Sequence, residues 1–474
     1  MPLSNKDSTY LLFLWGMLGT LFVLGTPFIN IYGFAVFFIS IIWSLLRHRI
    51  IPLNIPFIVL FGPFVTFKLG GFTLTLADLY LASAFGLIVI LNKSSHIKIG
   101  SQSLSYLIYP LLLLIIISVG FSYDYSSSLL ALIQLSFIYI CYLVTLNFIN
   151  KNQIHLVLKA WLQAVSLASL FALYFFINGQ YMIEVFDGMN QTRSLEDASY
   201  FWRLTYIYTG FHYLVGISLI AVTFMLFKVD YFYMFIIKFL IFLFLLMISI
   251  LVNIKTTIFI FFAVGFYYFL RILLKSSLTV LLTTALMLPL IILGVLTTLY
   301  FSLGEVQFEF LINRFTSFES LSARFVIYIN VLEFMSNNLQ TFLTGIGPGI
   351  TTRFSDSYIL QQIYIGESGY SEGAIDSSYF TFMLEYGLIF ILLISYIVVE
   401  AVYKLGKLIN WQKPSHQMLI QAILIFSILI ALTQLVGISK SAWIFPQVLA
   451  LAHIAIGSKT NKKYQQGNSF EVQK

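Results

Sequence analysis

Charged residues are scarce in this 474-residue chain, and their scarcity excludes most classes of soluble protein. Asp, Glu, Lys and Arg make up 9% of the sequence, whereas apolar residues make up 59%. A soluble domain carries about 25% charged residues, so a chain of this length cannot cover itself with a hydrated surface. Most of its exterior must face lipid, and the composition predicts an integral membrane protein.

Cysteine and metal-ligand clusters are nearly absent as well. Cys141 is the single cysteine and lies in an apolar run, which excludes an intrachain disulfide and predicts a small buried side chain. No His, Asp or Glu cluster has metal-ligand spacing, so we expect no metal and no other cofactor. The net charge of +7 comes from short basic clusters at helix ends, so we expect no nucleic-acid partner.

Long apolar runs dominate what is present. A helix needs about 20 apolar residues to cross a bilayer, and the runs predict an all-α, polytopic membrane domain over residues 1–474 with about fourteen transmembrane helices. The predicted spans are 10–26, 28–46, 53–69, 72–91, 104–121, 129–149, 157–177, 212–227, 231–251, 257–274, 278–301, 376–400, 418–437 and 441–457.

Lys and Arg fall preferentially on alternate connections between these spans. Those connections carry few acids, whereas acids outnumber the basic residues on the opposite set. The positive-inside rule then places both termini in the cytoplasm, and we expect a multi-pass chain in a bacterial inner membrane. Two connections on the periplasmic side are long, 178–211 and 302–375, and long loops are uncommon unless they have a function. Apolar residues spaced by three and four over 305–334 predict amphipathic helices in the larger loop.

Several cations lie on the side that this rule should deplete. They include Arg203, Lys255, Arg314 and Arg324. Arg binds phosphate oxygens through two parallel hydrogen bonds, whereas Lys acts as a point charge. Converging at the outer membrane face, these residues are candidates for binding a lipid-linked diphosphate; a solvated or snorkelling side chain is the alternative for each.

Four further positions are candidates for chemistry. Asp376 precedes an apolar run, either as a general base or as a helix N-cap, and His212 is a base or an interfacial packing residue. Glu385 and Asp78 lie inside apolar helices, where an ionisable side chain suggests function. A glycine-rich segment, Gly345-Ile-Gly-Pro-Gly349, lacks the Lys-Ser/Thr of a P-loop and is either a tight turn or a close approach to a glycan.

Taken together, these segments resemble a known superfamily. Ser322-Ala-Arg324-Phe-Val-Ile-Tyr, the glycine-rich segment, Asp376-Ser-Ser-Tyr-Phe and Glu385-Tyr-Gly-Leu388 follow one another before a late helix. The pattern is similar to that of the O-antigen polymerase (Wzy) and O-antigen ligase superfamily. Lys255-Thr-Thr257 stands where that family often has Ser-Arg-Thr. The helix entry carries Asp376 rather than the catalytic His of ligases, which favours the polymerase.

The resemblance implies a metal-independent glycosyltransferase with a GT-C-like fold. Its substrates would be repeat-unit glycans on undecaprenyl diphosphate, polymerised at the periplasmic face into O-antigen or a related polysaccharide of lipopolysaccharide biosynthesis. Arg203, Lys255, Arg314 and Arg324 would neutralise the leaving diphosphate, and Asp376 or His212 would accept the hydroxyl proton. Partners besides membrane lipid would be a chain-length regulator and a flippase of the same pathway. An O-antigen ligase, or a polysaccharide flippase or transporter, is the alternative.

Overall fold

Helices make up nearly all the regular structure in the computed structural model. It describes residues 5–23, 29–64, 66–69, 72–91, 105–178, 180–182, 192–194, 232–251, 319–350, 378–408 and 444–457, with a few single positions between 215 and 300. The described helices are α1 (Asn5–Val23), α2 (Ile29–Leu46), α3 (Ile51–Phe61), α4 (Leu76–Leu91), α5 (Ser105–Gly120), α6 (Tyr125–Phe148), α7 (Ile154–Ile177), α8 (Phe232–Leu251), α9 (Glu319–Ser336), α10 (Leu339–Thr344), α11 (Ser378–Tyr386), α12 (Leu388–Leu408) and α13 (Ile444–Gly457). The strands are β1 (Thr66–Leu69), β2 (Phe72–Thr75), β3 (Gln180–Met182) and β4 (Thr192–Ser194).

The all-α class is confirmed for the described residues, which are overwhelmingly helical apart from two short antiparallel ribbons. Helices occupy the predicted spans 10–26, 28–46, 104–121, 129–149, 157–177, 231–251 and 441–457 to within a few residues. The spans 212–227, 257–274, 278–301 and 418–437 lie wholly or mostly outside the described residues. The count of fourteen therefore stays a prediction.

Length and surface chemistry indicate that the protein is embedded in a membrane. Among the described residues, α6, α7, α8 and α12 are long and apolar enough to cross a bilayer. Large apolar side chains are exposed along the helices, for example Phe13 at 72% and Leu46 at 78%. Exposed apolar surface of this extent is unfavourable in water but matches the hydrocarbon of a bilayer.

The predicted span 53–69 is wrong. Its residues form the eleven-residue α3, a 3₁₀ turn at Gly62–Phe64 and the strand β1, which pairs with β2 as an antiparallel ribbon in the register Leu69↔Phe72. Every residue of α3 is buried by protein. A helix covered on all sides needs the same apolar composition as one covered by lipid, so the sequence did not distinguish the two.

A polar contact compensates for Pro56 inside α3. Because proline has no N–H, the carbonyl of Pro52, four residues earlier, lacks its helical donor. The Gln447 Nε2 of α13 donates to that carbonyl at 2.9 Å, and Gln447 Oε1 accepts from the Trp161 Nε1 of α7. Gln447 is fully buried, so this side chain joins three helices through two hydrogen bonds.

Asp78 has a structural partner that the sequence prediction missed. The Thr75 N–H and hydroxyl both donate to Asp78 Oδ2 at 2.9 Å, and the Asp78 N–H donates to Thr75 Oγ1 at 3.4 Å. This reciprocal pattern is a capping box at the first turn of α4. The buried carboxylate therefore holds the junction between β2 and α4.

A glycine interrupts the predicted helix 376–400. In place of one helix, α11 ends at Tyr386 and α12 begins at Leu388, with Gly387 between them at φ +83°. Of the segment 305–334, for which amphipathic helices were predicted, residues 319–334 are helical and belong to α9, and residues 305–318 lie outside the described ones. Its amphipathic character stays a prediction.

The described residues divide into two compact units. The first contains α1–α6, α7 as far as Leu167, nearly all of α9, and α10–α13. The second contains α7 from Ala168 onward, the antiparallel ribbon of β3 and β4 within the predicted loop 178–211, and α8. The glycine-rich segment and the helices around it belong to the first unit.

Candidate functional site

The glycine-rich segment that follows α10 forms a tight turn. Gly345, Gly347 and Gly349 have φ values of +76°, +113° and +74°, in the region that L side chains rarely adopt. Gly345 also has ψ of −177°, a combination that is essentially restricted to glycine. The sequence supplies glycine at each position where the backbone takes this left-handed form.

Close packing excludes a side chain from each of the three glycines. A Cβ on Gly345 would lie 2.3 Å from the Glu385 carbonyl, and one on Gly347 would lie 2.2 Å from Ser122 Oγ. A Cβ on Gly349 would lie 2.8 Å from Ala131 Cβ. The turn is therefore inserted between the end of α11 on one side and the α5–α6 connection on the other.

Backbone donors of the turn cap the end of α11. The last carbonyls of a helix lack intrahelical donors. The Ile346 N–H donates to the Leu384 carbonyl at 2.8 Å, and the Gly347 N–H donates to the Glu385 carbonyl at 3.1 Å. Ser118 of α5 donates its hydroxyl to the same Glu385 carbonyl at 2.6 Å. The break at Gly387 is thus stabilised by hydrogen bonds from two neighbouring segments.

The close approach of the end of α10 leaves room only for glycine at position 387. A Cβ at Gly387 would lie 2.1 Å from the Leu343 carbonyl oxygen. The helix break and the α10 end are therefore in direct backbone contact, and each fixes the position of the other. Residues 345–350 are all buried, so this irregular backbone is covered by protein, as membrane proteins require.

Serine side chains hold the opposite side of the turn. Ser128 donates its hydroxyl to the Pro348 carbonyl at 2.9 Å, and the hydroxyls of Ser122 and Ser128 are 2.6 Å apart. The Tyr123 N–H donates to the Ile346 carbonyl at 3.0 Å. Sequence reasoning missed these serines; their only signal is the polar cluster Ser122-Tyr-Asp124 with Ser126-Ser-Ser128 between two apolar runs.

Asp124 caps α6 at the same place. Its carboxylate accepts from the Ser126 and Ser127 N–H groups at 3.1 and 3.2 Å. Hydrogen bonds from Ser127, and then from Ser126, lower the pKa of the Asp124 carboxyl below its ordinary value. The capped helix start positions Ser127, Ser128 and Ala131 under the glycine turn.

Beside the turn lies an apolar cavity of about 620 Å³, bounded mainly by α5, α6, α11, α12 and α13. Tyr386 and Phe382 line the part nearest the turn, and Tyr142 and His453 line the far part, where the Tyr142 hydroxyl lies 2.6 Å from His453 Nδ1. The volume is within the range of about 300–1,000 Å³ that is typical of ligand sites.

Aromatic stacking brings together two helices that carry or follow predicted site residues. The Tyr328 ring of α9 stacks on the Phe380 ring of α11, with centroids 4.3 Å apart and planes within 4°. Arg324 is one turn before Tyr328 on α9, and Asp376 is two residues before the start of α11. The turn of α9 that follows Arg324 therefore packs on the first turn of α11.

The other predicted site residues lie outside the described residues: Arg203, His212, Lys255, Arg314 and Asp376. Glu385 is 4% exposed, and its neighbours Leu384 and Tyr386 are also buried. Cys141 is buried, as predicted. Within the described part of the chain, no group of three or more His, Cys, Asp and Glu side chains is arranged to hold a metal ion.

Comparison with known proteins assigns the chain to no family. No protein-family model matches the chain, and no curated protein matches it significantly. The class of the protein therefore rests on its own fold: a membrane-embedded helical protein with an interrupted helix, a buried glycine turn and an adjoining apolar cavity.

Proposed function

We propose that the protein is a glycosyltransferase that polymerises undecaprenyl-diphosphate-linked repeat units at the periplasmic face of the bacterial inner membrane. The observation that carries the proposal is the stack of Tyr328 on Phe380. It supports a shared site for Arg324, the predicted phosphate ligand on α9, and Asp376, the predicted base ahead of α11.

The proposed reaction is a substitution at an anomeric carbon. A hydroxyl of the acceptor repeat unit attacks the anomeric carbon of the lipid-linked donor glycan, and a new glycosidic C–O bond forms. The bond between that carbon and the diphosphate oxygen breaks, and undecaprenyl diphosphate leaves with the electron pair. Asp376 or His212 accepts the hydroxyl proton. Arg203, Lys255, Arg314 and Arg324 stabilise the departing charge, the kind of contribution that is often the largest in catalysis.

The glycine turn supports this proposal by making the site rigid. A catalytic group must be held close to its productive geometry. The turn is fixed by backbone contacts to Glu385 and by the serines of the α5–α6 connection. In the proposal, the glycine turn fixes the positions of the segments that carry Arg324 and Asp376.

A transporter is the second candidate, because interrupted membrane helices often form transport sites. In such sites the free ends of the half-helices bind the ion or substrate. In this protein the Leu384 and Glu385 carbonyls at the end of α11 already accept from Ile346, Gly347 and Ser118. The Glu385 carbonyl accepts two of these hydrogen bonds, one for each lone pair, so it would have to lose one of them to coordinate a cation, which favours the enzyme.

Substitutions of Arg324 and Asp376 test the proposal in cells. Arg324→Ala should abolish glycan chain extension while the protein still inserts and accumulates, and Arg324→Lys should be poorly tolerated because Lys cannot make the bidentate contact. Asp376→Asn keeps the capping ability and removes the base, so it should shorten the polysaccharide ladder on gels. A full ladder in all three variants, at normal protein level, would contradict these assignments.

A further inference from the structure

The shape of the apolar cavity is elongated along the bundle. On α6 its lining runs from Leu132 to Leu143, which at 1.5 Å per residue is about 16 Å. On α12 it runs from Phe390 to Val398, or about 12 Å. These dimensions fit a chain lying parallel to the helices better than a compact head group.

The lining is chemically suited to hydrocarbon. Leu, Ile, Val and Phe side chains make up most of the wall, and the polar residues are few: Ser136, Tyr139, Tyr142, Tyr379, Tyr386 and His453. A site with so few convergent polar groups cannot fix a glycan or a diphosphate, which need many hydrogen bonds. Water molecules in the cavity would also find few hydrogen-bond partners.

Two of the helices that line the cavity carry exposed side chains there. Ile116 on α5 is 60% exposed although it lines the cavity, and Ser136 on α6 is likewise exposed. Exposed lining on α5 and α6 would let a hydrocarbon chain reach the cavity from the bilayer without crossing water. The end of the cavity near Tyr386 adjoins the glycine turn, because a Cβ at Gly345 would meet the Tyr386 N at 2.5 Å.

We infer that this cavity binds the first isoprene units of the polyprenyl tail of the lipid-linked substrate. The inference rests on the proposed function, since that function sets the diphosphate near the glycine turn and the tail must continue from it into the bilayer. Leu132, Leu135 and Ile115 would contact the tail on one side, and Phe390 and Ile394 would contact it on the other. The cavity thus selects a single long hydrocarbon chain and sets its register relative to the reacting sugar.

Photolabelling of the full-length protein tests this site. The purified chain would be placed in nanodiscs of phosphatidylethanolamine and phosphatidylglycerol and labelled with a polyprenyl phosphate that carries a diazirine in its first isoprene units. We expect labelled peptides from the helices that line the cavity, α5, α6, α11, α12 or α13, and severalfold less labelling when excess unlabelled undecaprenyl phosphate is added. Labelling confined to other segments would overturn the inference. Equal competition by added phosphatidylglycerol would do so too, because ordinary bilayer lipid would then fill the cavity.

Two tryptophan substitutions on α6 provide a matched pair. Leu135→Trp fills the cavity and should lower labelling severalfold, whereas Ile133→Trp changes a side chain that is 44% exposed and does not line the cavity. Ile394→Phe on α12 is a milder filling variant should Leu135→Trp fail to fold. Unchanged labelling in a folded filling variant would contradict the inference. If the cavity is labelled but deletion of the gene leaves the polysaccharide ladder intact, the polymerase proposal is refuted and the tail site stands. If deletion collapses the ladder but the cavity is not labelled, the tail site is refuted and the polymerase proposal stands.

Discussion

Gly345→Ala is the substitution whose effect the structure specifies most closely. The new Cβ would lie 2.3 Å from the carbon and the oxygen of the Glu385 carbonyl and 2.5 Å from the Tyr386 N. These are backbone atoms at the end of a helix, so they cannot rotate away as a flexible side chain would. Relief requires that the turn and α11 separate by about 1 Å, which would break the hydrogen bonds from Ile346 and Gly347.

The magnitude follows from two terms. A side chain in the glycine-only backbone region costs about 1–3 kcal/mol, and overpacking a buried site costs about 1–3 kcal/mol more. The sum, on the order of 2–6 kcal/mol, is a large part of a typical folding free energy of about 5–15 kcal/mol. We therefore expect a clearly lower melting temperature for Gly345→Ala, measured by thermal unfolding of the purified full-length protein in detergent.

Gly86→Ala is the matched control for this experiment. Gly86 lies within α4, and a Cβ there would meet nothing within 4 Å. Alanine is a better helix former than glycine by about 0.5–1 kcal/mol, so this variant should melt at or slightly above the wild-type temperature. If Gly345→Ala has the same melting temperature as Gly86→Ala, the close packing of the glycine turn against α11 is wrong.

Two further predictions concern other polar contacts. Gln447→Ala leaves the Trp161 indole N–H and the Pro52 carbonyl without their hydrogen-bond partner, and because each buried unpaired group costs about 1–3 kcal/mol, the melting temperature should fall. The control Gln340→Ala, at an exposed position of α10, should not change it. Equal melting temperatures for the two variants would contradict the stabilising role of Gln447 beside Pro56. The Asp124 carboxyl has a pKa below its ordinary value of 3.8, so its capping contribution is present above that pH and is lost as the pH falls through the lowered pKa. Asp124→Asn should keep the cap and flatten this part of the pH dependence of the melting temperature; an unchanged profile would show that Asp124 does not contribute.

The length of the apolar runs predicted most of the described helices, but it failed at residues 53–69, where a short buried helix is followed by a strand. Residues 53–69 read as a span because α3 is almost entirely apolar, and the strand that follows it contributes Phe67 and Leu69. The Gly-Gly pair between Leu69 and Phe72 was the available signal for a two-residue hairpin connection. Likewise, Thr75-x-x-Asp78 is a capping-box sequence that favours a structural role for Asp78.

The candidate site was predictable in its parts but not in its arrangement. The glycine-rich turn was identified from composition, yet its fit against Glu385 and Ser122 depends on segments far apart in the chain. The break at Gly387 arises from contact with Leu343, and no local pattern encodes a contact between residues 44 positions apart. The cavity has no sequence signal, because its lining uses the same residues as a packed core.

The central claim, polymerisation of lipid-linked repeat units, is tested most directly by deleting the gene and examining the surface polysaccharide on gels. If the protein is the polymerase, export and ligation remain intact and the ladder collapses to a band with one repeat unit attached to the acceptor lipid. A strain with no attached units and accumulated lipid-linked polymer would instead indicate a ligase. Single units trapped on the cytoplasmic side would indicate a flippase, and either outcome would contradict the assignment of this protein as the polymerase.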